Sequence, residues 1–274
     1  NKFLELVEVD PTADFSEEDL SCFQSSRQPT AIYTYASKIK EESNKELQRS
    51  LQSFVQAIFD KNLQEKRMRG EHLRKVFEGR EELKGKWMEG ASHLLSDFVE
   101  PGELEEKFKG YELVDTDDWE DLLLCGTEVY GSCQKVNGHT SLNKCLLGYA
   151  LDGKNRVIAL KDSKGEIIAR KIFRILWSEE RQAPILLCEK LYDTPGTTAA
   201  MQKAMDKMII QRANDLGLAL AEAGSSRSSS PIDLFSFSCP APFEYFDSAS
   251  GVRPGNKPTK VTGNVILESS GVID

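Results

Sequence analysis

The window from residue 125 to residue 145 concentrates side chains that could do chemistry. It holds three of the six cysteines in the 274-residue chain, Cys125, Cys133 and Cys145, together with His139, one of only three histidines. Proteins use thiolate and imidazole groups to bind zinc and to carry out nucleophilic attack. Two chemical interpretations therefore compete with a third, in which these residues only build core and loop.

The spacing of the window argues against zinc. The gaps between successive cysteine and histidine residues are seven, five and five positions, and the sequence has no C-x-x-C pair. Such a pair is the usual means of turning two thiolates toward one ion. We therefore predict no metal site.

Cys133 is the predicted nucleophile. It lies in the tetrapeptide GSCQ, residues 131–134, where the glycine permits close approach of a substrate. An ordinary thiol is only a few per cent ionised at pH 7, so catalysis requires a neighbouring base. His139 from the same window, or His93 from the helical part of the chain, is predicted to be that base. Gln134 or backbone N–H groups are predicted to stabilise the oxyanion.

The third interpretation is structural. Asn137-Gly138 is a strong turn signal, which favours an exposed loop position for His139. Cys145 begins the apolar stretch CLLGYA, which favours burial, and Cys188 lies in a similar stretch. On this interpretation the cysteines are reduced and structural.

The elements that position these residues are of two kinds. Up to about residue 110, apolar residues recur at helical spacing, as at Leu51, Phe54, Val55 and Ile58. Beyond it, residues 156–161 and 166–177 flank a turn and predict a hairpin.

The second half of the chain continues with further predicted elements. Residues 183–192 predict a third strand, and Thr197 is predicted to cap a long helix that ends at Leu216. A strand from Lys260 to Leu267 is predicted to close the sheet.

Charge and hydropathy limit the partners. The formal net charge is −9, which repels phosphate backbones, so we predict no nucleic-acid partner. The chain lacks the roughly 18 consecutive apolar residues of a membrane span. We predict a soluble, cytoplasmic protein with a protein partner or a protein substrate. The chain begins at Asn1, and we interpret it as a piece of a longer polypeptide.

The element order over residues 155–222 resembles the core of GNAT-type acetyltransferases. In that family the pyrophosphate of acetyl-CoA lies on backbone N–H groups before the long helix. The resemblance implies Gly196 and Thr197 as cofactor-binding residues, in the segment DTPGTTAA that begins at Asp193. The family pattern [Gln/Arg]-x-x-Gly-x-[Gly/Ala] retains one glycine here and lacks its basic residue, so no cofactor is predicted. Glu189, on the third strand, is predicted to be a surface carboxylate, with general base as the alternative.

A broader resemblance covers roughly residues 110–270. It is carried by the segments GTEV, SCQ, LDGKNR, ILW and PAPFEY, which begin at residues 126, 132, 151, 175 and 240. These resemble uncharacterised domains of large multi-domain proteins from intracellular bacteria. The resemblance implies a host-directed or scaffold context and delivery into a host cytosol.

These observations predict an α+β fold. A helical region, residues 1–110, packs on a mixed, mostly antiparallel sheet domain, residues 111–274, with one long helix and a GNAT-like core. The predicted function is that of a protein-modifying enzyme of bacterial effector type, a hydrolase or transferase that acts through Cys133. A non-catalytic protein-interaction module and a GNAT-like acyltransferase are the alternatives.

Overall fold

Helices surround a mixed β-sheet in this protein. The computed structural model describes residues 25–100, 108–223, 231–247, 249 and 251–269. Within these ranges the predicted α+β class is confirmed. None of the helices described there combines the length and the apolar character required to span a bilayer.

The first part of the described chain is helical. Its helices are α1 (Pro29–Glu41), α2 (Lys45–Phe59), α3 (Leu63–Arg67), α4 (Glu71–Phe77) and α5 (Glu81–Glu89). The chain then alternates between short strands and short helices, namely β1 (Ala91–Leu94), β2 (Glu112–Thr116), α6 (Trp119–Leu124), α7 (Thr140–Asn143) and α8 (Leu146–Leu151).

Strands dominate the remainder. The first group is β3 (Asn155–Lys161), β4 (Ile167–Ser178), β5 (Ala183–Cys188) and β6 (Tyr192–Asp193), followed by the long helix α9 (Ala199–Leu216). The last group is β7 (Leu220–Ala223), β8 (Pro231–Ser236), β9 (Phe243–Phe246), β10 (Gly251–Pro254) and β11 (Thr259–Leu267).

Turn and cap residues explain why these elements begin and end where they do. The predicted hairpin of β3 and β4 is confirmed, and its turn places Gly165 at φ +80°, where a side chain would be strained. Helix α9 is capped by the Thr198 hydroxyl, one residue later than predicted, because that oxygen accepts from Met201 N–H. Gly217, at φ 65°, ends the helix in the left-handed conformation.

The order of strands in the main sheet is β1-β2-β3-β4-β5-β7-β11-β8, and β6 pairs with β4. All of these pairings are antiparallel except that of β5 with β7, whose connection contains α9. The predicted closing strand, β11, instead lies inside the sheet between β7 and β8. Trp177 of β4 also pairs with Phe235 of β8, so the strands from β4 to β8 curl into a small closed barrel.

Strand alternation assigns the side chains of β4 to two cores. Ile172 packs in the core under α1, α2, α6 and α8, whereas Phe173 packs in the core under α4, α5 and α9. Because side chains two positions apart share a face, Arg170 and Arg174 lie on the same face as Ile172. This face carries the residues of interest.

His72 of α4 is fully buried and is held as a neutral imidazole. Its Nε2 lies 2.8 Å from the Ile175 carbonyl oxygen, and its Nδ1 accepts from Phe237 N–H at 3.3 Å. Burial lowers the pKa of His72 from 6.5 to about 4, and the nearby Lys154 charge acts in the same direction. Between about pH 6.5 and about pH 4, His72 is therefore protonated in the unfolded chain but neutral in the folded chain.

We expect the free energy of unfolding to fall by about 2 to 3 kcal/mol from this group as the pH falls from about 7 to about 4.5. Urea unfolding of the wild type and of His72→Gln at both pH values isolates the contribution. The amide of glutamine can make both hydrogen bonds but does not titrate. Equal pH dependence in the two proteins would contradict the assignment.

Candidate functional site

The loop between α6 and α7 positions Cys133. It crosses itself at Gly126, where an added Cβ would lie 2.4 Å from the Gln134 carbonyl oxygen, so only glycine fits. Tyr130 N–H donates to the Asp193 carbonyl oxygen at 2.9 Å, which fixes the loop beside β6. The thiol of Cys133 is half-buried at this place.

A chain of hydrogen bonds leads away from this thiol. Cys133 Sγ lies 3.3 Å from Tyr245 Oη, and Tyr245 Oη donates to Asp247 Oδ1 at 2.8 Å. Tyr192 Oη donates to the same carboxylate oxygen at 3.2 Å. Because an ionised carboxylate can only accept hydrogen bonds, the Tyr245 hydroxyl donates its one proton to Asp247. The Tyr245 oxygen therefore accepts the hydrogen bond from the Cys133 thiol.

Arg170 completes a ring around this chain. Its Nε donates to the Cys125 carbonyl oxygen at 3.0 Å, and its Nη2 donates to Ser132 Oγ at 3.3 Å. Its guanidinium carbon lies 4.3 Å from the centroid of the Tyr192 ring, a cation–π distance. We call the closed set of side chains the Cys133 ring; its members are Ser132, Cys133, Arg170, Tyr192, Tyr245 and Asp247.

The two tyrosines of the ring are held in their protonated form. Burial raises the pKa of Tyr192 to about 12, and the Asp247 charge adds to the effect. Burial, together with the contacts to Cys133 and Asp247, raises the pKa of Tyr245 well above its ordinary value. Both hydroxyl groups therefore remain proton donors at neutral pH.

The side chain of Gln134 is used inside the protein, and its hydrogen-bond partners lie outside the Cys133 ring. Its Nε2 lies 3.1 Å from Cys145 Sγ, and its Oε1 accepts from Tyr149 Oη at 3.0 Å. Its backbone N–H donates to Ser132 Oγ at 3.2 Å. The side chain predicted to stabilise an oxyanion is thus part of the packing below the loop.

The other two cysteines of the window are structural. Cys125 and Cys145 are buried, and burial raises the pKa of their thiols to about 11 and about 12. Glu189 is also buried, with Oε1 3.3 Å from Arg174 Nε, so the prediction of a surface carboxylate is wrong.

The structure does not bring the two predicted histidine bases to Cys133. His139 is exposed immediately before α7. His93 lies on the edge strand β1 and packs edge-to-face on Phe98 at 5.3 Å, next to the core on the opposite face of the sheet. Among the described residues, the hydrogen-bond partner of the Cys133 thiol is Tyr245.

The start of α9 is the place where the acetyltransferase resemblance implies a diphosphate. Gly196 is exposed, with open space around it, and Thr197 donates its hydroxyl to the Ile168 carbonyl oxygen at 3.2 Å. The Asp193 carboxylate lies beside the first turn and accepts from Gln202 Nε2 at 2.8 Å. A carboxylate here repels phosphate, so these residues do not fit a diphosphate.

The pattern of the sequence contained a partial signal for the missed residues. Arg170 and Arg174 alternate with Ile172 in a strand whose other residues are apolar except Lys171 and Ser178, which is unusual for a buried strand. Tyr245 lies in an aromatic segment between prolines, but nothing in its spacing connects it with Cys133. Neither of these residues nor Tyr192 was predicted as a site residue.

Within the ranges that the structure describes, no group of three or more histidine, cysteine, aspartate or glutamate side chains is arranged to hold a metal ion. The sequence matches no protein-family model, and no curated protein is significantly similar to it.

Proposed function

We propose that this protein is a protein-modifying enzyme that acts through Cys133, with Tyr245 and Asp247 as the proton relay in place of histidine. The observation that carries the proposal is the hydrogen-bonded chain from a half-buried thiol through a phenol to a carboxylate. A nucleophile, a group that takes its proton and a third group that orients the second are the parts that covalent catalysis requires.

The reaction can be written on these atoms. Cys133 Sγ attacks a carbonyl carbon of the substrate and forms the S–C bond of a thioester. The thiol proton moves to Tyr245 Oη while the proton of Tyr245 moves to Asp247 Oδ1. The bond between the carbonyl carbon and the leaving group breaks, and the leaving group takes a proton back along the same path. Water or an amine then cleaves the thioester, which corresponds to a hydrolase or a transferase.

Three features support a protein as the substrate. Tyr130, three positions before Cys133, exposes 75% of its surface, and exposed aromatic side chains are typical of protein-binding surfaces. The net charge of −9 disfavours nucleic acid. The resemblance to domains of large proteins from intracellular bacteria suggests that this substrate is a protein of the host cell.

A second candidate is an acyltransferase of GNAT-like topology. It is supported by the parallel pair of β5 and β7, which are connected through α9. The position of Asp193 argues against acyl-CoA as the donor, so we derive no step through it. A non-catalytic protein-interaction module is the third candidate. It predicts that binding of a protein partner is unaffected by Cys133→Ser.

The proposal is tested with 4-nitrophenyl acetate as the acylating substrate. We expect a burst of about one equivalent of nitrophenolate followed by slow turnover, with the acetyl group on Cys133 by peptide mass spectrometry. Cys133→Ser is expected to lower the burst by about tenfold or more. The matched control is Cys239→Ser, which replaces a half-buried thiol outside the ring. A burst that survives Cys133→Ser would overturn the proposal.

A further inference from the structure

Arg170 has a buried donor that nothing in the described structure uses. The residue exposes 1% of its surface, and its Nη1 has no hydrogen-bond partner among the described residues. Its other two nitrogens donate to Cys125 and Ser132. Buried guanidinium N–H groups are nearly always satisfied, so this one is an exception that requires an explanation.

Arg170 is also a buried cation without a carboxylate partner. The other buried arginines in the described ranges each have one, since Arg67 pairs with Asp117, Arg156 and Arg212 pair with Asp115, and Arg174 pairs with Glu189. No salt bridge involves Arg170 in the same ranges. A buried charge without a counterion is strongly unfavourable, and an anion bound from solution would supply the missing charge.

The placement of this charge is specific. On one side the guanidinium stacks on the Tyr192 ring at 4.3 Å, and on another it bonds Ser132, the residue before Cys133. The only carboxylate of the Cys133 ring, Asp247, lies beyond Tyr192 and binds its hydroxyl. Within the Cys133 ring, the positive charge of Arg170 and the negative charge of Asp247 therefore lie on opposite sides of Tyr192.

We propose that Arg170 binds a carboxylate of the molecule that reacts at Cys133, and that the substrate acyl group is therefore anionic. That this molecule is an enzyme substrate rests on the proposed function, whereas the binding of a carboxylate at Arg170 does not. A carboxylate at Arg170 places the rest of the molecule toward the thiol, and repulsion from Asp247 disfavours the reversed orientation.

The test compares two alkylating agents of nearly equal size, anionic iodoacetate and neutral iodoacetamide. Rates at Cys133 are measured peptide by peptide, first in the folded protein and then in urea-unfolded protein, where the same thiol lacks the ring. We expect the ratio of the iodoacetate rate to the iodoacetamide rate to be about tenfold higher in the folded protein. Arg170→Gln is expected to remove this difference, and Arg170→Lys to retain part of it.

Arg212→Gln is the matched control, because it removes a buried arginine on the other face of the sheet and leaves Asp115 paired with Arg156. Equal ratios in folded and unfolded wild type, or a ratio that Arg170→Gln leaves unchanged, would overturn the proposal. If Arg170→Gln does not fold, the proposal is tested by the rate ratios of folded and urea-unfolded wild type alone. Alkylation of Cys133 does not require acyl transfer. A preference for iodoacetate in the absence of a nitrophenolate burst would therefore support the carboxylate site at Arg170 and contradict only the proposed function.

Discussion

Replacement of Tyr245 by phenylalanine is expected to slow the acylation of Cys133 by about 10²- to 10³-fold while leaving the fold intact. The change removes one oxygen, which is the atom between Cys133 Sγ at 3.3 Å and Asp247 Oδ1 at 2.8 Å. Without it the thiol proton has no path to the carboxylate. The measurement is the burst rate with 4-nitrophenyl acetate, together with circular dichroism of both proteins.

The matched control for this change is Tyr192→Phe. Tyr192 donates to the same oxygen of Asp247, at 3.2 Å, but has no hydrogen bond to Cys133. Its loss is expected to change the burst rate by less than about fivefold, since the relay remains connected. Equal effects of the two changes would show that the hydroxyl groups only support the packing of the ring.

Replacement of Lys154 by alanine is expected to lower the free energy of unfolding by about 3 to 5 kcal/mol. Its ammonium group is fully buried between the carboxylates of Asp152 and Glu244, and the distance to Glu244 Oε2 is 3.0 Å. Removal of the cation leaves two buried carboxylates that have lost the ammonium group paired with both of them. Urea unfolding followed by tryptophan fluorescence measures the loss.

A surface ion pair provides the comparison for Lys154. Lys260 and Asp233 are in contact at 2.7 Å, but their side chains are about half exposed. Lys260→Ala is therefore expected to cost less than about 1 kcal/mol. A similar small loss for Lys154→Ala would mean that water reaches the carboxylates and that the buried cluster is not maintained in solution.

Local patterns predicted the local elements. The β3–β4 hairpin follows from two β-rich runs around a glycine turn, and α9 follows from a threonine cap, apolar spacing and a final glycine. The position of β11 inside the sheet depends on which strand edges remain free after the others have paired. That is a property of the assembled fold, and no short segment carries it.

At the candidate site, too, the residue with a local sequence signal was predicted, and its distant partner was not. Cys133, two positions after Gly131, was identified from its neighbours in sequence, and it is the thiol of the window that remains half-buried. Its partner Tyr245 lies 112 residues later, and β9 brings the two together. His139, the histidine that is close to Cys133 in sequence, points elsewhere, because the turn at Asn137-Gly138 carries it to the surface.

The central position of β11 has a consequence for the order in which the protein forms. During synthesis β7 and β8 emerge before β11, yet they pair with β11 and not with each other. Until residue 267 has left the ribosome, each of them presents an open edge to the cell. Nascent chains therefore carry two open strand edges that can associate with other chains, and the emergence of β11 is the step that closes the sheet.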